Sequence, residues 1–225
     1  MTNEELLISQ IKDPYRVKPI KIPYDPKKIF FTSDLHFNHK NIMNFCKRPF
    51  KDIDEMKDIL IANWNNVVGK DCIVFDLGDF AFAGTGEWKR ILKELNGIHI
   101  LIKGNHEVTR APQPSALRDF FAVYENLTIE INGQKIYLNH FPYLCMDGTY
   151  KTEHQPWQLF GHVHLSPIME NNIGKDFDRL KILFPNQYDV GVDFNNYEPI
   201  SFEEVKEKID YQIQNNVNCL TWIKW

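Results

Sequence analysis

Seven side chains of metal-ligand type, carried on short runs far apart in the chain, constrain this sequence more than any other feature. They are Asp34 and His36 in SDLH, Asp79 in LGD, Asn105 in GNHE, His140 in NHFP, and His162 and His164 in GHVH. Most of these runs follow an apolar stretch that reads as a strand. Strand ends and loops distant in sequence would therefore meet at one place, which is the layout of a two-metal hydrolase centre. A single DxH or GxH pair occurs by chance and carries little weight. Five of the eight histidines, however, fall in these runs (His36, His106, His140, His162 and His164).

The intervening pattern supplies the strands. Ile29 to Thr32 is a compact apolar run that predicts a buried strand ending at Ser33-Asp34. Residues 52 to 68 predict a helix, with Asp52 and Glu55 at capping-box spacing and Ile53, Met56, Leu60, Trp64 and Val67 on one face. Cys72 to Phe75 predicts the next strand, residues 86 to 95 a second helix, and Ile98 to Ile102 a strand running into the GNHE block. A short helix is expected around residues 115 to 121. Leu127, Ile129 and Ile131, then Asn132-Gly133, then Ile136 and Leu138 predict a β-hairpin with a two-residue turn that delivers His140. Trp157 to Phe160 delivers His162. Tyr188 to Phe194 reads as a further strand, and Ser201 with Glu204 opens a late helix. The early half alternates strand and helix and the later half is mostly antiparallel strand. One α/β domain with mixed sheets and helices outside follows over residues 29–225, with residues 1–28 a lead-in packed on its surface.

Spacing argues for the chemistry. In a strand, Asp34 and His36 share a face, as do His162 and His164. Gly78, Gly104 and Gly161 permit tight turns or close backbone approach where strands end. Carboxylate, imidazole and amide-oxygen donors suit Mn, Fe, Zn, Ni or Co better than a calcium cage. Asp79 is the natural carboxylate to bridge two ions. Two ions close together acidify a shared water and bind developing negative charge. His106, in an extended loop after Asn105, is free to face the substrate as general acid, and Glu107 is a candidate to orient it.

Composition excludes alternatives rather than choosing among them. A chain of 225 residues suits one well-packed domain. It has no run of 18 apolar residues, so a membrane span is not expected, and MTNEELLISQ lacks the pattern of a signal peptide. The four cysteines lack CxxC spacing, which argues against a zinc knuckle, a redox motif or a disulfide framework and leaves the cytoplasm as the default location. A net charge of -4 argues against a long nucleic-acid footprint, although bound ions would add local positive charge.

The ordered blocks SDLH, GD, GNHE, NH and GHVH resemble the calcineurin-like metallophosphoesterase superfamily over residues 29 to 203. The phrases FFTSDLHFNHKNIMNFCKRPF, LGDFAF, LIKGNHE and GVDFNNYEPISFEEV resemble its compact bacterial and phage branch. The resemblance implies a four-layer α-β-β-α sandwich, with two mixed sheets flanked by helices and the site at the strand ends. It implies that Asp34, His36 and His164 hold one ion, that Asn105, His140 and His162 hold the other, and that Asp79 bridges them. His106 would protonate the leaving oxygen after in-line attack of a metal-bridging hydroxide on phosphorus. Glu107 stands where many members have aspartate, and no ligand position is missing.

Outside these blocks, Asn38, His39 and Arg48 are candidates to contact substrate, Arg48 through its forked donors. Phe80 and Phe82 read as core. Phe141, Tyr143 and Trp157 are candidates for a wall beside a base, with core packing the better reading for Trp157. Asp193 and Asn195 receive no role. The expected function is a phosphoesterase using two divalent transition-metal ions, Mn²⁺ first among them, on a small nucleotide-like phosphodiester. A nuclease or nucleic-acid end-processing phosphatase, and a non-catalytic metal-binding scaffold, are the alternatives.

Overall fold

The computed structural model of the protein describes residues 2–12, 18–109, 117–147, 155–166 and 180–223. A helix α1 (Asn3–Ile11) and a short strand β1 (Ile20–Lys21) lead into β2 (Ile29–Thr32). Then come α2 (Lys40–Phe45), α3 (Ile53–Val67), β3 (Ile73–Asp76), α4 (Thr85–Glu94), β4 (Ile98–Ile102), α5 (Asn105–Thr109) and β5 (Ala122–Tyr124). The second half runs through β6 (Leu127–Ile131), β7 (Gln134–Leu138), β8 (Trp157–Phe160), β9 (Gln187–Asp189) and β10 (Ile200–Ser201) to α6 (Phe202–Asn215). The strands form two five-stranded sheets, ordered β10-β2-β3-β4-β5 and β1-β6-β7-β8-β9. In the first, β2 to β5 are parallel and β10 is antiparallel. In the second, only the β6–β7 hairpin is antiparallel. The architecture is an α/β sandwich of two mixed sheets flanked by helices, as the resemblance implies.

Residue parity decides which layer each side chain joins. Every residue of β2 and β3 is buried, as expected of strands covered on both faces. Phe31, Phe75, Ile100 and Ile102 share a core with Ile129, Ile136, Leu138 and Leu159 of the other sheet. Their neighbours Phe30, Val74 and Leu101 pack instead with Met56, Leu60 and Trp64 of α3 and Trp88 and Ile91 of α4. Each such side chain contributes roughly 1.5–3 kcal/mol through burial.

Most local signals are realised, but the mostly antiparallel later half is not, since β7, β8 and β9 pair in parallel. Asp52 caps α3, its side chain accepting from the Glu55 N–H at 3.0 Å. The reciprocal bond is displaced by one residue, since Glu55 Oε2 accepts from the Lys51 N–H. Ser201 and Glu204 form the complete box on α6. Asn132 and Gly133 both take positive φ, 49° and 83°, which sets the two-residue hairpin turn. The strand expected over Tyr188 to Phe194 is shorter and ends at Asp189. There the Asp189 carboxylate accepts from the Gly191 N–H at 2.7 Å, and Asn195 Nδ2 donates to the Asp189 and Gly191 carbonyls. Side chains thus take over backbone groups that a longer ladder would need. The helix expected around residues 115 to 121 lies partly outside the described residues. Ahead of β2, Leu7 is fully buried, β1 pairs with β6, and Gln10 bonds both backbone groups of Lys21. No helix among the described residues is long and apolar enough to cross a membrane.

Candidate metal centre

Parallel strands deliver their carboxyl ends to one side of a sheet, where α/β folds place ligands. Here β2 delivers Asp34 and His36, β3 delivers Asp79, β4 delivers Asn105 and His106, β7 delivers His140, and β8 delivers His162 and His164. The paired candidate ligands do not sit on extended backbone. Asp34, His36, Asp79, His162 and His164 all have left-handed backbones, with φ between 48° and 70°. Such conformations cost on the order of 1–3 kcal/mol each and persist only where surroundings enforce them. Enforcement comes from neighbouring loops. The Asp34 and His36 N–H groups donate to the Gly78 and Asp79 carbonyls, both at 2.9 Å, and Phe37 donates to Phe80. The Asn105–His106 pair is likewise not extended but opens α5, where successive residues point about 100° apart.

The predicted ligands gather into two groups, which two further groups, His36–His39–His106 and Cys46–His164–Asp193, overlap. Asp34, His36 and His164 form one, and Asp79, His140 and His162 the other, with the donor atoms within each group no more than 4.8 Å apart. Asn105 Oδ1 joins the second at 3.1 Å from His140 Nε2. Asp79 Oδ2 lies between the groups, 3.6 Å from His36 Nε2 and 3.5 Å from His140 Nε2. Asp34 Oδ1 and His36 Nε2, 3.9 Å apart, are buried without hydrogen-bond partners. A buried polar atom so placed costs about 1–3 kcal/mol, a cost that a divalent ion between the two would remove. The nitrogen and oxygen donors match a transition-metal ion.

The supports behind the ligands differ in kind. Leu77 O accepts from His140 Nδ1 at 2.7 Å, which turns Nε2 toward Asp79. His164 Nδ1 lies 2.7 Å from Asp193 Oδ2. Asp34 Oδ2 accepts from the His162 N–H, and Asp79 Oδ1 from the His106 N–H. Burial opposes charge on His140, but the Asp79 and Asp34 carboxylates and the Leu77 carbonyl together outweigh it and lift the imidazole to about 9. An ion in the second group would take the place of that proton. Burial, with His164 and Arg48 nearby, holds His36 well below its usual value and leaves it neutral, as a ligand must be. Close approach explains the glycines. A Cβ on Gly161 would lie 2.0 Å from Ser33 Oγ and 2.4 Å from Asp34 Oδ2, and one on Gly104 would lie 2.3 Å from Asp79 Oδ1.

The remaining candidates divide. His106, its side chain 21% exposed, has Nε2 3.7 Å from Asp79 Oδ2. His39 Nδ1 is 3.2 Å from His36 Nδ1, and its ring stacks on Phe82 at 4.7 Å. Asn38 is half-buried with φ 62°. The Arg48 side chain is fully buried and turned toward Asp193, Asp34 O and Leu35 O rather than toward the mouth of the site. Phe80 and Trp157 are core, but Phe82 is 36% exposed beside His106. Phe141, 43% exposed, lies against His140 and His162, whereas Tyr143 packs near Tyr137. Glu107 does not orient His106. It accepts from the Asp79, Phe80 and Gly104 N–H groups at 2.7–2.9 Å and so fixes the turn that carries Asp79. Asp193 was missed by sequence reading. A usable signal existed for the turns beneath the site, since Asp76 and Asp189 each precede a glycine by two and each accepts from its N–H.

Comparison with known proteins agrees with this geometry. A family model described as calcineurin-like phosphoesterase matches residues 27–213. An uncharacterized protein of Methanocaldococcus jannaschii is 34% identical over 188 residues, 82% of this chain and 92% of its own length. The gene 66 protein of Mycobacterium phage L5 is 29% identical over 172 residues, 64% of this chain and 81% of its own. A solved structure, that of a protein of unknown function from Aquifex aeolicus, matches with a TM-score of 0.59 and 28% identity, over 80% of this chain and 97% of that one.

Proposed function

The chain belongs to the calcineurin-like phosphoesterase family, and from that premise we propose that it hydrolyses phosphodiester bonds of a small nucleotide-like substrate with two divalent ions, Mn²⁺ foremost. Asp34, His36 and His164 would hold one ion, Asn105, His140 and His162 the other, and Asp79 both. Bound there, the ions supply an acidified water and positive charge for the phosphoryl oxygens. The chain's own groups do the rest. Asp79, held by Glu107 through its backbone, keeps the two halves in register. His106 sits beside both halves and gives a proton to the departing oxygen, which matters most for an alkoxide.

The observation that carries this reading is the placement of His106. Its ring is partly exposed and close to Asp79, outside the Asp34–His36–His164 and Asp79–His140–His162 groups although it also clusters with His36 and His39. Phe82 and Phe141 support a substrate with a ring, since each is exposed and each borders one side of the cluster. The test is a screen of chelated protein resupplied with Mn²⁺ against phosphomonoesters, linear phosphodiesters and 2′,3′- and 3′,5′-cyclic nucleotides. Turnover of diesters above monoesters is expected. No turnover of any activated diester would turn the reading toward a metal-binding scaffold, and cleavage of single-stranded DNA or RNA would turn it toward a nuclease.

A further inference from the structure

We propose that Arg48 and Asp193 are a positioning pair for the Asp34–His36–His164 half of the centre, and that this half therefore holds its ion more tightly than the other. The inference rests on the two-ion reading above. It starts from a full set of hydrogen bonds. A guanidinium has five N–H donors, and Arg48 has an acceptor for each. Nε donates to Asp193 Oδ1 at 2.8 Å, and Nη2 to Asp193 Oδ2 at 2.8 Å and to Asp34 O at 2.6 Å. Nη1 donates to Leu35 O at 2.9 Å and to Met56 Sδ at 3.6 Å. The side chains of Arg48 and Asp193 are 0% and 1% exposed. No donor is left for a phosphate, so the fork serves the protein and not the substrate.

What it serves is specific. Through Asp34 O and Leu35 O the guanidinium fixes the left-handed turn that aims Asp34 and His36. Through Asp193 it fixes His164, because Asp193 Oδ2 accepts from His164 Nδ1 at 2.7 Å and leaves Nε2 3.7 Å from Asp34 Oδ1. One buried cation thus sets all three ligands of one half. The other half is built differently, since His140 Nδ1 faces only a neutral carbonyl, Leu77 O. A carboxylate behind an imidazole makes it a stronger ligand, and loss of such a partner typically lowers metal affinity about 10–100-fold.

The experiment is calorimetric titration of chelated protein with Mn²⁺, repeated with Co²⁺ to follow the visible bands of each bound ion. The wild-type protein should bind in two resolved steps. Asp193→Asn keeps the volume and removes the charge, and it should weaken the tighter step about 10–100-fold while leaving the weaker one in place. Arg48→Lys, which keeps the charge but not the fork, should act in the same direction. It carries the test if circular dichroism shows Asp193→Asn unfolded. Asn105→Ala should weaken only the other step. Two indistinguishable steps in the wild type, variants that titrate as wild type, or equal weakening of both steps overturn the inference and leave the two-ion reading standing. A wild-type chain that binds no ion overturns both.

Discussion

His106 and Glu107 are adjacent in sequence and act on opposite sides of the same turn. The His106 ring lies at the mouth of the site, whereas Glu107 is 2% exposed and takes three backbone N–H groups. The two substitutions should therefore separate. His106→Ala should keep metal content near that of wild type and lower turnover of an alkyl phosphodiester by about 10²–10⁴. A diester with a nitrophenolate leaving group, which needs less protonation, should lose less. Metal analysis beside steady-state rates checks this, and an unimpaired rate on the alkyl diester would remove His106 from the mechanism. Glu107→Gln presents an amide N–H₂ where donors already converge, so a buried N–H loses its acceptor. A loss of about 1–3 kcal/mol in urea-monitored stability is expected, with weaker metal binding through the displaced Asp79.

At the level of elements, the legible parts of the fold are those whose causes are local. The 3.6-residue apolar spacing of α3, the all-apolar β2, the Asn132-Gly133 turn and the Ser201 cap each lie within one short window. Ser201→Ala should accordingly cost about 1 kcal/mol, read from the shift of the denaturation midpoint; no change would mean that packing alone starts α6. The residues that cluster at the site were legible by chemistry, but their backbone was not. Asp34 and His36 are left-handed because the loop after β3 bonds to them, and no window around residue 34 contains that loop. Arg48 misled for the same reason, since its carboxylate partner lies 145 residues away.

The contact between β4 and α3 gives a pH-dependent test at this scale. His99 stacks on Trp64, and burial lowers its pKa from 6.5 to about 4. The folded state thus binds fewer protons than the unfolded state in this window. Its contribution is full above pH 6.5 and is lost as the pH falls through about 4. A shift of that size corresponds to about 3 kcal/mol. His99→Phe should remove this acid sensitivity, and a wild-type-minus-variant stability difference that is flat from pH 7 to pH 4 would contradict it.

For the molecule as a whole, the centre is a junction between the two sheets. Asp34, His36, Asp79 and Asn105 follow strands of one sheet, and His140, His162 and His164 follow strands of the other. Buried carboxyl groups gather under the junction, where ionisation is disfavoured. Burial pushes Asp76 well above the usual carboxylate range and Asp189 up to about 7, with Asp34 adding to both. Divalent ions would offset the cost of ionising carboxyl groups there and tie the sheets together, so metal should act on global stability and not only on catalysis. Held at 100 times its dissociation constant, an ion that binds only the folded chain adds about 2.7 kcal/mol. At roughly 2–4 °C per kcal/mol for a chain of this size, Tm should rise by about 5–10 °C per ion. Thermal unfolding with Mn²⁺ and then with excess chelator measures the rise and its reversal. Asp79→Ala removes the carboxylate oxygen that faces both groups and should abolish most of the rise, whereas His106→Ala should keep it. Equal Tm for wild-type protein with and without metal would mean that the ligand clusters do not bind an ion in the folded chain.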